Sequence, residues 1–134
     1  MREKGLFLIV DDDNDDCEFF REALSDVAPN IDFDVANNGE EALIKLRNDL
    51  IKIPDVIFLD LNMPRMDGKT CLKELKKDNI LKEIPVVIYT TSSNQDDIDE
   101  TKALGAFYFL TKPSDFQILR EQIVLVMGMF KFAI

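Results

Sequence analysis

Val56-Ile57-Phe58-Leu59-Asp60 is four apolar residues in unbroken succession, closed by a carboxylate. A strand with one wet face alternates apolar and polar residues. A continuous run instead fits a strand buried on both faces, as in a parallel sheet. Three further runs of this kind lie on either side of it: Leu6–Val10, Val86–Tyr89 and Phe107–Leu110. A fifth segment, Ile31–Ala36, alternates Ile31, Phe33 and Val35 with Asp32 and Asp34, the pattern of a half-exposed edge strand.

Helix-period segments separate these runs. Cys17, Phe20, Leu24 and Val27 mark the first. Ala42, Leu43, Leu46 and Leu50 mark the second, and Cys71, Leu72 and Leu75 the third. Ile98 and Leu104 mark a weaker fourth, since Gln95–Lys102 is nearly all polar. Phe116, Leu119, Ile123 and Val126 mark the fifth. Start signals agree: Asn38 before Gly39-Glu40-Glu41, Asp67 before Gly68, and Ser114 with Gln117 three residues on as a capping box. Strand and helix alternating about five times predict an α/β, doubly wound five-stranded parallel sheet with right-handed crossovers, a three-layer αβα sandwich.

The chain of 134 residues suits one domain spanning 1–134, with 46% apolar residues to build its core. Its formal net charge is −10 and it has no histidine. That balance argues against a phosphate backbone as direct partner, so no nucleic acid is expected. It also removes histidine as a general base or zinc ligand. Cys17 and Cys71 fall on apolar helix faces and read as reduced core thiols. The start, Met1-Arg2-Glu3-Lys4-Gly5, is charged, and the apolar run after it is too short for a signal peptide or membrane span. A cytoplasmic protein with no membrane contact is expected.

Ligands of such a sheet sit beyond the carboxyl ends of its strands. After the first strand come Asp11, Asp12 and Asp13, and the third ends in Asp60, followed by Leu61-Asn62-Met63-Pro64. After the fourth come Thr90, Thr91 and Ser92; after the fifth, Thr111, Lys112 and Pro113. Asp11, Asp12 and Asp60 together would repel one another and raise at least one carboxyl pKa. A divalent cation relieves that, and an all-oxygen set of this kind suits Mg²⁺. With Lys112 on the far side, such a carboxylate is poised to attack phosphorus, and the same charges then neutralise the added oxygens.

The blocks Leu8-Ile9-Val10-Asp11-Asp12, Phe58-Leu59-Asp60-Leu61-Asn62-Met63-Pro64-Arg65-Met66-Asp67-Gly68, Tyr89-Thr90-Thr91-Ser92 and Thr111-Lys112-Pro113 resemble the signature blocks of the response regulator receiver family. Order and spacing both agree across nearly the whole chain. The likeness is greatest to chemotaxis-type, single-domain receivers without an output domain, including those paired with phytochrome-type histidine kinases. The resemblance implies a flavodoxin-like sheet of order 2-1-3-4-5 and a stand-alone response regulator of a two-component or phosphorelay system. It implies Asp60 as phosphoacceptor. Asp12, Asp60 and the backbone carbonyl of Asn62 would be direct ligands of Mg²⁺ (or Mn²⁺), and Asp11 a ligand through water. Thr90 and Lys112 would meet the phosphoryl oxygens, and Thr90 and Phe109 would form the switch pair. Phe stands there in place of the commoner Tyr. Pro113 would follow a cis peptide. The implied partners are a sensor histidine kinase or histidine phosphotransfer protein and a downstream protein that the sequence does not identify. The protein would not be an enzyme in the ordinary sense.

Plainer roles are expected for other residues. Asp13, Asp15 and Asp16 read as the cap and first turn of the first helix. Asp67 caps the third and Gly68 eases the turn. Asp96, Asp97, Asp99 and Glu100 read as a solvated face, and Ser92 lies where this family modulates water access. The tail Met127–Ile134 either caps the core or offers Met129, Phe130 and Phe132 to a second copy or a partner. Two competing functions are open. An aspartyl-nucleophile phosphohydrolase would want an acid where Asn62 stands. A pseudo-receiver interaction module would lack one of Asp11, Asp12, Asp60, Thr90 and Lys112, all of which are present.

Overall fold

A computed structural model describes residues 5–131. Five strands, β1 (Gly5–Val10), β2 (Ile31–Ala36), β3 (Val56–Leu59), β4 (Val86–Thr90) and β5 (Tyr108–Thr111), alternate with five helices. These are α1 (Asn14–Val27), α2 (Gly39–Arg47), α3 (Gly68–Lys77), α4 (Gln95–Ala103) and α5 (Phe116–Met129). The strands are parallel in the order β2-β1-β3-β4-β5. The expected doubly wound sheet is therefore present, with Ile31–Ala36 at one edge.

Alternation along each strand divides the apolar runs between two cores. Phe7, Ile9, Phe58, Val87 and Tyr89 face α1 and α5, meeting Phe20, Leu24, Leu119 and Ile123. Leu8, Val10, Ile57, Leu59 and Ile88 face the other way, against Leu43, Leu46, Leu72 and Leu75. That is why the central strands read as unbroken apolar sequence: every residue of β3 and β4 is buried. Each large side chain so buried contributes about 1.5–3 kcal/mol. Phe20 is the hub of the first core, its ring 4.7 Å from that of Phe58 and 5.4 Å from that of Tyr89. Cys17 and Cys71 are free and buried, and burial pushes both thiols up to about 12, as befits inert core residues.

Four local expectations are corrected. The run Phe107–Leu110 is not buried on both faces: β5 is the second edge, and Phe107 and Tyr108 are exposed. Helix α5 is capped by Asp115, whose carboxylate accepts from the Ile118 N–H, not by Ser114. A short carboxylate reaches the open N–H as well as a hydroxyl does, and Phe116 is the first helical residue. A 3₁₀ turn at Leu81–Glu83 precedes β4 where none was foreseen. The Lys112–Pro113 peptide is trans, like every described peptide bond, which is the ordinary state even before proline.

The weak fourth helix is real, though Thr101 is its only buried residue. At the C-terminus Met127 is buried and the Phe130 ring packs 4.7 Å from Phe107, so the described part of the tail covers core. Phe132 and the charged segment 1–4 lie outside the described residues. Among the described residues no helix is long and apolar enough to cross a membrane.

Candidate functional site

The sheet ladder continues one residue past its strands and thereby fixes the rim. Asp11 N–H donates to the Ala36 carbonyl (3.0 Å), Asp60 N–H to Val10 (3.0 Å) and Lys112 N–H to Thr90 (2.7 Å). Three charged side chains are thus launched from backbone that is already hydrogen-bonded, so their positions carry the rigidity of the sheet.

Their side chains converge. Asp11, Asp12 and Asp60 each offer a carboxylate oxygen within 4.8 Å of the others. Asp11 and Asp60 are buried and Asp12 is exposed, so the cluster opens to solvent through Asp12. Lys112 Nζ lies 2.7 Å from Asp11 Oδ2, 2.8 Å from Asp16 Oδ2 and 3.4 Å from Asp60 Oδ2. The other oxygens are turned to the backbone: Asp11 Oδ1 accepts from Asp13 N–H at 3.0 Å, and Asp60 Oδ1 from Leu61 N–H at 2.8 Å. Thr90 is fully buried, and its hydroxyl has no hydrogen-bond partner among the described residues.

Electrostatics follow from burial. Loss of water raises the Asp11 carboxyl to about 6, with Asp60 adding to the rise and Lys112 opposing it. Burial alone would lower the Lys112 ammonium, but its bonds to Asp11 and Asp16 outweigh that and hold it above the usual lysine range. An all-oxygen trio with one solvent-facing member suits a hard divalent cation with waters on its open side. The donor set, with no nitrogen or sulfur, does not suit zinc.

Gly68 has a different reason from the one expected. Its φ is not positive. A side chain there would instead run into the Asp60 carbonyl oxygen and come within 2.7 Å of Leu61 Cα. Glycine lets the start of α3 lie directly on the backbone that carries Asp60. Asp67 caps that helix as expected, accepting from Thr70 N–H at 2.8 Å. Asp13 likewise caps α1.

Two features escaped the sequence. Asp16 is more than a first-turn acid, because it reaches Lys112. Asp97 is not simply solvated: Lys69 donates to it at 2.7 Å and the Ser92 hydroxyl at 2.6 Å, while Lys69 also pairs with Glu100 at 3.0 Å. Lys69 and Asp97 line a cleft of about 500 Å³ beside the trio, together with Asp12, Asn62 and Asp67. Both lie in the first turn of a helix that follows a strand end, and that placement was the available signal. Phe109, on the outer strand, is half-buried beside Ile98 and Thr101 in a separate apolar groove.

Residues 7–124 match the profile of the response regulator receiver domain. The chain is 31% identical over 131 residues to the response regulator Rcp1 of Synechocystis sp., covering 95% of this chain and 87% of that protein. It is 38% identical over 118 residues to the transcriptional regulatory protein ZraR of Klebsiella oxytoca, but spans only 25% of its length. Among solved structures, that of the phosphorylated cyanobacterial phytochrome response regulator RcpA superposes with a TM-score of 0.86 at 32% identity, over 94% of this chain and 93% of that one. The Mn²⁺-bound form of Rcp1 superposes with a TM-score of 0.83 at 29% identity, over 94% of each chain.

Proposed function

The chain belongs to the response regulator receiver family, and on that premise we propose that it accepts a phosphoryl group on Asp60 from a histidine kinase or histidine phosphotransfer protein. One observation carries the reading: the buried Asp60 carboxylate shares its pocket with Asp11, Asp12 and the Lys112 ammonium. A carboxylate oxygen of Asp60 forms the new P–O bond while the P–N bond to the donor imidazole breaks, and the imidazole leaves with the electron pair. Asp12, Asp60 and the Asn62 carbonyl would hold Mg²⁺ or Mn²⁺ directly, and Asp11 through a water; the Mn²⁺-bound form of the relative Rcp1 supports a cation of this kind. When bound, the cation supplies positive charge against the phosphoryl oxygens. Lys112 supplies charge from the other side. The unpartnered Thr90 hydroxyl is a ready donor for a phosphoryl oxygen, and drawing it inward opens space for the Phe109 ring to follow. The face bearing Phe109 then changes toward a partner protein.

The test is exposure to acetyl phosphate with Mg²⁺, read by intact mass. The expected result is one added phosphoryl group that needs the cation and is absent in Asp60→Asn. Uptake that survives Asp60→Asn, or no uptake by the wild type, overturns the proposal.

A further inference from the structure

The lysine of the site is shared among three carboxylates, and the acceptor's is the most distant of them. Its ammonium lies 2.7 Å from Asp11, 2.8 Å from Asp16 and 3.4 Å from Asp60. The Lys112 side chain is 7% exposed, so water can replace few of these bonds. Asp16 projects from the first turn of α1, where its backbone N–H is tied to the capping Asp13 carboxylate at 3.1 Å. The carboxylate that grips Lys112 is therefore mounted on a capped helix and not on a loose loop.

Resting on the reading of Asp60 as acceptor, we propose that Asp16 is a positioning residue that holds Lys112 back from Asp60 and so restrains phosphoryl uptake. A phosphoryl group on Asp60 adds about two negative charges and draws the ammonium toward itself. The Asp16 carboxylate competes for the same ammonium. Every part of the ammonium's hydrogen bonding spent on Asp16 is withheld from the incoming phosphoryl oxygens, in the transition state as in the product. The Asp16 side chain is 36% exposed, so its pull is partly screened and the restraint is moderate. Two variants separate this role from helix electrostatics. Asp15 lies beside Asp16 in the same first turn but is exposed and makes no ion pair with Lys112. Asp15→Asn and Asp16→Asn therefore remove the same charge from the helix start, while only the second releases the lysine.

The experiment compares wild type, Asp15→Asn and Asp16→Asn in two measurements: the rate of loading by acetyl phosphate with Mg²⁺, and the affinity for fluoroberyllate, a phosphoryl mimic that forms no lasting covalent phosphate. Thermal melting checks folding, and Asp16→Ser provides the same loss of charge should the Asn variant fold poorly. Asp16→Asn is expected to load and to bind fluoroberyllate about two- to five-fold better, the range a partly exposed ion pair carries, with Asp15→Asn unchanged. Equal values for Asp16→Asn and wild type, equal gains in both variants, or slower loading by Asp16→Asn overturn the inference while leaving the acceptor reading intact. A wild type that neither loads nor binds fluoroberyllate overturns both.

Discussion

Lys112 and Lys69 stand on the same rim of the sheet, each among carboxylates at hydrogen-bonding distance, yet their surroundings differ. Lys112 is 7% exposed and faces Asp11 and Asp60, both buried. Lys69 is 30% exposed and faces Asp97 and Glu100 on α4. Each ammonium is raised above the usual lysine range. At Lys112 burial works against the charge and the acids overcome it; at Lys69 the bonds to Asp97 and Glu100 act with little opposition. The same ionic contact is thus a structural necessity where water is excluded and an adjustable tie where it is not.

The comparison predicts its largest effect at Lys112. Lys112→Met leaves buried carboxylates without a countercharge and should cost about 3–5 kcal/mol in metal-free solution, read by urea unfolding. Mg²⁺ should return part of that loss. A cost below about 1 kcal/mol would place Lys112 in the same class as Lys69 and break the contrast.

Next in size is the coupling of pH and cation. The folded Asp11 carboxyl titrates near 6, above its unfolded value of 3.8. Its contribution to stability is therefore complete below the unfolded value and lost as pH rises through about 6. Wild type without metal should melt progressively lower across that window relative to Asp11→Asn, in which the group cannot ionise. On the proposed function Mg²⁺ would bind the ionised trio, so its stabilisation should grow with pH, reaching about 2.7 kcal/mol at a hundredfold excess over Kd. A stabilisation equal at pH 5 and pH 8 would show that Asp11 does not take part.

The smallest effect belongs to Lys69, the more exposed of the two lysines. Lys69→Met should change stability by no more than about 1 kcal/mol, and molar salt should erase most of the difference by screening. A salt-insensitive loss comparable to that of Lys112→Met would mean that the α3–α4 tie is buried in solution.

Asp11, Asp12, Asp60, Thr90 and Lys112 were legible because each lies within two residues of the end of an apolar run, and parallel strands bring their carboxyl ends to one rim. The central strands were legible for a related reason, since burial on both faces leaves an unbroken apolar record. Phe107 and Tyr108 misled because an apolar run does not say whether its strand lies inside the sheet or at its edge; strand order decides that. Asp16 carried two roles on one position, and the reach to Lys112 depends on the rotational phase of α1 against β5. Asp97 sat in an acidic helix whose polarity concealed one half-buried member. Gly68 was found with the wrong reason, since close approach of a helix start to a neighbouring backbone leaves no mark beyond the glycine itself. Ser114 and Asp115 were both eligible caps, and only the geometry of the turn chose between them.

The contacts of Lys112 with Asp16 and Asp60 span 96 and 52 residues of chain. Forming such contacts requires closing long loops, whose entropy must be met before the contact repays it. A sheet assembled from β1 to β4 alone would hold Asp11, Asp12 and Asp60 face to face with no ammonium between them. A form lacking β5 would carry that repulsion, which would sharpen the all-or-none character of the transition in metal-free solution. A divalent cation would relieve the same repulsion early and leave intermediates lacking β5 more populated. The charge arrangement of the rim would thus also bear on how cooperatively the chain folds.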